Sequence, residues 1–253
     1  MKAILKKEFL ELIRTKKILI LVIIFLFVSI SSPIIAKLIP TIFKNMEMQG
    51  IKLTIPEATW RDSIDQFIKN ISQLAIIVIV FMFAGSVAEE KNKKTLEMIL
   101  TKPISRNNFI VSKYIAAISA TILILLISSI IFYFYTTSIF GHFSFNNFSL
   151  LVLLVALYIA QTVALTIFCS TLFTNQIFVA GLSFFIEIVL VSILGSIDKI
   201  SKYFPGYILG HYKNLIENGN ISDFLPSVLV SLAIIVLLVY SSLTIFRKQE
   251  IEH

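Results

Sequence analysis

At 253 residues, with 57% hydrophobic against 15% charged side chains and a mean hydropathy of +0.90, the chain carries more apolar surface than one water-soluble core can cover. Its net charge of +7 comes without any basic stretch interleaved with aromatics, so nucleic acid is set aside as a partner and the charge reads as membrane topology and contact with lipid. The single cysteine, Cys169, excludes an internal disulfide and reads as small apolar filler.

About 20 mostly apolar residues cross a bilayer as a helix. Six segments of that order occur, at 18–36, 71–88, 114–135, 148–173, 177–197 and 224–246. None shows the strict alternation of a membrane β-barrel, so the expected fold is an all-α integral membrane protein with six transmembrane helices. If the N-terminus is cytoplasmic, segments 1–17, 89–113, 174–176 and 247–253 carry 14 Lys and Arg, whereas the three outer segments carry 8 over a longer stretch of chain. Because basic residues near span ends resist translocation, both termini are expected on the cytoplasmic side of a cell membrane. The excess of lysine over arginine, with abundant Ile and Asn, hints at an AT-rich, bacterial source.

In chain order, residues 2–17 place Leu5, Phe9, Leu12 and Ile13 at helical spacing, with Lys6, Lys7, Glu11 and Arg14 largely elsewhere on the wheel. That pattern predicts an amphipathic helix at the membrane surface, retained because no small-residue cleavage site comes after it. Pro33, Pro40, Gly50 and Pro56 predict an irregular outer segment over 37–56. Beyond it, Trp60, Ile64, Phe67, Ile68, Ile71 and Leu74 continue one helical face into span two.

Between spans two and three the apolar character breaks. Within KKTLEMILTKP, Leu96, Ile99 and Leu100 share a face, Thr95 suits a cap and Pro103 ends the run, giving a helix of about two turns. Two readings are open on spacing alone: a solvated connector resting on headgroups, or a short helix that seats in a partner's groove. Ser105 beside Arg106 then starts the third span. The stretch 198–223 is too broken by Pro205, Gly206, Gly210 and Gly219 to span and too apolar to be a free loop, which predicts short re-entrant or interfacial helices, with Ser222 or Asp223 capping the last span.

The run VAEEKNKKTLEMILTKPISRNNFIVSKY resembles the segment after the second span in permease subunits of type-2 ABC exporters, whose pattern is E-x-x-x-G-T-L-E-x-L-L-x-x-P-x-S-R. Glu90, Thr95, Leu96, Glu97, Ile99, Leu100, Pro103, Ser105 and Arg106 match it, while Lys94 stands where glycine is common. The resemblance extends from ILKKEFLELIRTKK near the start, through GIKLTIPEATWRDSIDQFIKN and YFPGYILGHYKNLI, to LTIFRKQEI at the end. It implies a type-2 ABC exporter fold in one transmembrane domain over 1–253, paired with a second permease chain, identical or related, and two cytoplasmic ATPase subunits. Glu90, Lys94, Thr95, Leu96, Glu97, Met98, Ile99, Leu100, Thr101, Lys102, Pro103 and Arg106 would then form the ATPase-coupling site. No G-x-x-x-x-G-K-[ST] phosphate loop occurs in the sequence, so ATP and Mg are assigned to the partner, and this chain is expected to be a non-enzymatic transport subunit with no cofactor of its own.

Glu187 is the one formally charged residue inside these spans, where a charge costs about 2.5 to 3.5 kcal/mol. It reads equally as a lining residue for cationic or amphipathic cargo, in a path with Tyr203 and Tyr207, or as a structural hydrogen-bond acceptor from Ser or Thr on a neighbouring span. An ion-coupled carrier or channel using Glu187 is the alternative class, though such proteins place several ionisable groups along their path. A membrane hydrolase or acyltransferase lacks a nucleophile and base in any recognisable arrangement, and the isolated His142 and His211 predict no metal site. Phenylalanine-rich spans nearly free of charge suit an apolar or amphipathic cargo such as a peptide, lipid-like molecule or drug.

Overall fold

The structure is a computed structural model that describes residues 1–47, 57–93, 105–189 and 201–248. Among them every regular element is helical. The expected loop helix over Thr95 to Lys102 lies outside the described residues, as do 190–197 of the fifth expected span.

Helix α1 (Lys2–Arg14) buries Ile4, Glu8 and Leu12, one every four residues, with Leu5 and Phe9 partly buried beside them. This corrects the expected face: Ile13 is 58% exposed, and a glutamate occupies the centre of the inward stripe. Lys16, at φ 59°, turns the chain sharply into α2 (Lys17–Glu47). Helix α2 brings a second correction, because it passes through Pro33 and Pro40, so 37–47 is helix and not irregular. Proline deprives the helix of a hydrogen bond, and membrane helices tolerate this where neighbouring polar groups compensate. Beside Pro33, Ser32 Oγ donates to the Val28 carbonyl at 2.6 Å and accepts from Asn70 Nδ2 at 2.9 Å.

Helices α3 (Trp60–Asn70) and α4 (Ile76–Asn92) form one rod joined by a π-helical turn, Ile71–Ala75. The expected face holds for Ile64, Phe67, Ile68 and Ile71, but Leu74 is 43% exposed. The wider turn rotates the later residues, so Ala75, Ile76, Ile79 and Val80 continue the buried side.

Helix α5 (Arg106–Phe140) starts as expected at Ser105, whose side chain accepts from the Asn108 amide. It is followed by α6 (Phe145–Leu172), α7 (Gln176–Ile188), α8 (Gly206–Asn218) and α9 (Leu225–Lys248). Ser222 and Asp223 belong to a separate 3-10 turn, Ser222–Phe224, and α9 starts only at Leu225, which moves the expected start of the last helix. Among the described residues five helices are long and apolar enough to cross a membrane: Lys17–Pro40, Trp60–Asn92, Arg106–Phe140, Phe145–Leu172 and Ser222–Lys248. Helix α7 is apolar but shorter over its described length.

Helix α6 lies at the centre, packed by α4, α5, α7, α8 and α9, while α2 packs on α3 and α5, and α1 on α5 and α2. At the end of the bundle away from α1, aromatic rings fill the core: Phe67 and Phe132 stack at 4.2 Å, Phe132 and Phe148 at 5.5 Å, and Trp60 on Phe143 at 5.3 Å. The rim of that end is polar. Arg61 pairs with Glu217 at 3.2 Å, Lys213 with Asp65 at 2.9 Å, and Tyr212 donates a hydrogen bond to Asp65.

Candidate coupling site

The segment 94–104, which carries the exporter-like motif, is bordered by the end of α4 and the beginning of α5. Both borders meet α1 around a buried ammonium. Lys113, two turns into α5 and 3% exposed, places Nζ 3.1 Å from Glu8 Oε2 of α1 and 3.0 Å from Glu90 Oε1 of α4. The ring of Phe109, one turn earlier on α5, lies with its centroid 4.9 Å from the same nitrogen. Two carboxylates and an aromatic face thus surround a group with three N–H donors.

Lys7, half-exposed, closes the cluster from outside, with Nζ 3.0 Å from Glu8 Oε1, 2.8 Å from Glu11 Oε2 and 2.9 Å from Glu90 Oε1. Burial works against the charge on Lys7, but its bond to Glu11 and the fields of Glu90 and Glu8 prevail and hold its pKa above the usual lysine range. Burial likewise pushes the Glu11 carboxyl up, yet Lys113, Lys7 and Lys17 bring it below its ordinary value. Ligand oxygens of Glu8, Glu11 and Glu90 lie within 4.8 Å of one another, a spacing that would suit a cation, and the ammonium groups of Lys7 and Lys113 fill that role. A cavity of about 20 Å³, room for one water, adjoins Glu8, Glu11, Lys17, Ser86 and Lys113.

The other side of α5's first turns grips α9. Arg106 Nη1 donates to the Arg247 carbonyl at 3.1 Å, and Arg247 Nε donates to Asn107 Oδ1 at 2.6 Å. Phe109 stacks on Phe246 at 5.6 Å, and the hydroxyls of Tyr114 and Ser242 are 2.7 Å apart. On the α4 side, the Ser170 hydroxyl of α6 accepts from the amides of Val87 and Ala88, each at 2.9 Å, and donates to the Ala84 carbonyl at 2.7 Å. Helices α1 and α6 therefore bond to both of the helices that border 94–104, and α9 bonds to α5.

Of the coupling residues expected from sequence, Glu90 and Arg106 occupy this region, while Lys94, Thr95, Leu96, Glu97, Met98, Ile99, Leu100, Thr101, Lys102 and Pro103 lie outside the described residues. Glu8, Lys7, Glu11 and Lys113 were missed. The one trace in the sequence is Glu8 standing between Ile4 and Leu12 on the four-residue stripe, and nothing local pairs it with a lysine 105 positions away.

The expected cargo-path residues are dispersed. Glu187, on α7 and 3% exposed, accepts from Thr162 Oγ1 of α6 at 2.8 Å, beside Tyr158. Tyr203 is 45% exposed with Lys202 Nζ 5.1 Å over its ring, and Tyr207 stacks on His211 at 4.0 Å. Among the described residues no hydrogen bond or ring contact joins Glu187 to either tyrosine.

The sequence profile described as "ABC-2 family transporter protein" matches residues 2–206. The chain belongs to that family. It is also similar to the "Uncharacterized transmembrane protein YxlG" of Bacillus subtilis (strain 168), 24% identical over 254 residues that span 99% of this chain and 98% of that protein. An ABC-2 family protein with five long apolar helices is a multi-pass membrane protein in the permease role, generally a transport subunit without catalysis of its own that works with an ABC ATPase.

Proposed function

We propose that this chain is the membrane-spanning permease of an ATP-driven exporter and that Thr95 to Lys102 is its coupling helix, seated in a cytoplasmic ATPase. In this reading one transmembrane domain comprises the whole chain, the apolar run 177–197 counts as a sixth span, and both termini are cytoplasmic. A second permease chain completes the path, and two ATPase subunits hold the ATP and Mg. The observation that carries the reading is the gathering, at one end of the bundle, of the basic α1, the last turn of α9 with Arg247 and Lys248, and both borders of the motif-bearing segment. That is the end the positive-inside rule assigns to the cytoplasm.

The experiment is affinity purification of the tagged chain from host membranes, with and without Leu96→Glu and Leu100→Glu. An ATP-binding protein that accompanies the native chain and is lost with the paired substitution supports the reading. A chain that arrives alone while other complexes survive overturns it.

The cargo proposed is apolar or amphipathic, a peptide, lipid-like molecule or drug, because the spans carry many aliphatic and phenylalanine side chains and little charge. Vesicle transport that favours a small hydrophilic solute over amphipathic peptides would sink this part.

A further inference from the structure

The coupling segment explains why α4 and α5 should move; it leaves unexplained why a lysine and a glutamate are buried against α1. A buried ammonium and a buried carboxylate are retained in a fold only as partners, since either one alone would be stranded away from water. Here the partners are separated by 105 positions and belong to the N-terminal helix and to the helix that comes after the coupling segment. The same ammonium holds Glu90 at the end of the helix that precedes it. Sliding α1 by one turn, about 5.4 Å, against α4 and α5 would break the Glu8–Lys113 and Lys7–Glu90 bonds, taking the buried Glu8 carboxylate away from Lys113 while Lys113 and Glu90 stay paired with each other.

Apart from these charges, α1 is held by a narrow apolar stripe, with Leu5 and Phe9 only partly buried. Its inward stripe contributes Ile4 and Leu12, while Leu10 and Ile13 are 41% and 58% exposed. Its C-terminal end is tied tightly to α2: only Thr15 and Lys16 separate the two helices, and Lys16 is held in a left-handed turn whose amide bonds back to Ile13. A displacement of α1 therefore reaches the start of α2 without a flexible linker to absorb it.

We propose that Glu8 and Lys113 form a buried charge lock that makes α1 a third moving part of the coupling apparatus, carrying the displacement of α4 and α5 to α2. Both are positioning residues: they act through α1 and touch no nucleotide or cargo. Lys7 is the outer half of the device, since it bridges Glu8, Glu11 and Glu90 from the half-exposed side and keeps Glu90 paired when Lys113 is replaced. The lock rests on the contacts alone, whereas its role in transmission rests on the exporter reading given above.

The variant that tests it is Glu8→Gln with Lys113→Met, which removes one charge of each sign and leaves Glu90 with Lys7; Lys113→Arg is the conservative control. Hydrogen exchange on the full chain in lipid nanodiscs tests the lock without any partner. Amides of residues 4–12 are expected to exchange at least tenfold faster in the double variant, with 150–170 of α6 unchanged and the arginine variant within threefold of native. Equal protection of α1 in native and double variant overturns the lock.

Transmission is read by spin labels at Ile13→Cys on α1 and Leu172→Cys at the end of α6, in the complex purified with its ATP-binding partner; Cys169 is buried and stays unlabelled. Addition of ATP and Mg is expected to change that distance in the native and arginine forms and to leave it unchanged in the double variant, an outcome that a purely stabilising ion pair would not give. The same change in the double variant overturns transmission. If no ATP-binding partner purifies with the native chain, the exporter reading and transmission fall together, and the exchange result still decides the lock.

Discussion

The two ends of the helical bundle are held by different physics. At the α1 end, a few directional charged contacts converge on Lys113, and they come from different helices. At the other end, Phe67, Phe132, Phe148, Phe143 and Trp60 share contact area that no single bond dominates, and charge is confined to a solvated rim. Ring packing tolerates small adjustments by redistributing dispersion over many atoms. Charge pairing in a buried site does not, because the next available register breaks the pairs between helices, Glu8 with Lys113 and Lys7 with Glu90, outright. An end that must move as a unit gains from the second arrangement, and an end that only has to stay closed gains from the first.

This contrast can be broken from either side. The largest effect is expected for Phe132→Ala, which empties the middle of the ring stack and costs about 3 to 5 kcal/mol. Thermal unfolding in detergent should fall sharply while exchange at residues 4–12 changes only with global unfolding. Lys113→Met alone is expected to cost about 3 kcal/mol, at the low end for breaking a buried pair because Lys7 still reaches Glu8 and Glu90. Its signature is early release of α1, seen by hydrogen exchange, before the aromatic end melts.

Acid should separate the ends as well. Because Glu11 titrates below its ordinary value in the folded chain, its contribution is present above about pH 4.3 and is lost as pH falls through the lower, folded value. Helix α1 is thus expected to loosen as pH falls below the ordinary glutamate range, while the Phe67 and Phe132 stack, which has nothing to titrate, holds. Protection of the α1 amides, taken relative to the intrinsic rate at each pH, that stays unchanged between about pH 7 and about pH 3 would contradict this. The smallest effect is expected for Arg61→Ala on the rim, under about 1 kcal/mol and vanishing in high salt, since its pair with Glu217 is solvated.

Much of the fold was legible because membrane spans are recorded in composition. Five of the apolar runs form long helices, and the Ser105 cap, the Trp60 extension of the second span and the helix near 206–218 follow from local rules. The misreadings share a cause. Pro33 and Pro40 look like breakers, but α2 runs through both, and Asn70 of another helix bonds to Ser32 beside the first. Leu74 belongs to the expected face until the π turn rotates it away, and neither feature has a signature in its own window of sequence. In the candidate site, the motif picked out Glu90 and Arg106 because family pattern is linear, and it passed over Glu8 and Lys113 because pairing across 105 residues is not.

The sequence by itself determined the class of this protein: apolar runs long enough to span, basic residues biased to one side, and a motif that resembles the coupling segment of type-2 ABC exporters. Those are one-dimensional properties, set by the cost of burying backbone and charge in hydrocarbon. Only the tertiary structure decided which charges are buried and why they are tolerated. A glutamate on the inward stripe of α1 is a defect in sequence and a lock in space, because its solvation is supplied by a lysine that the chain delivers from another helix.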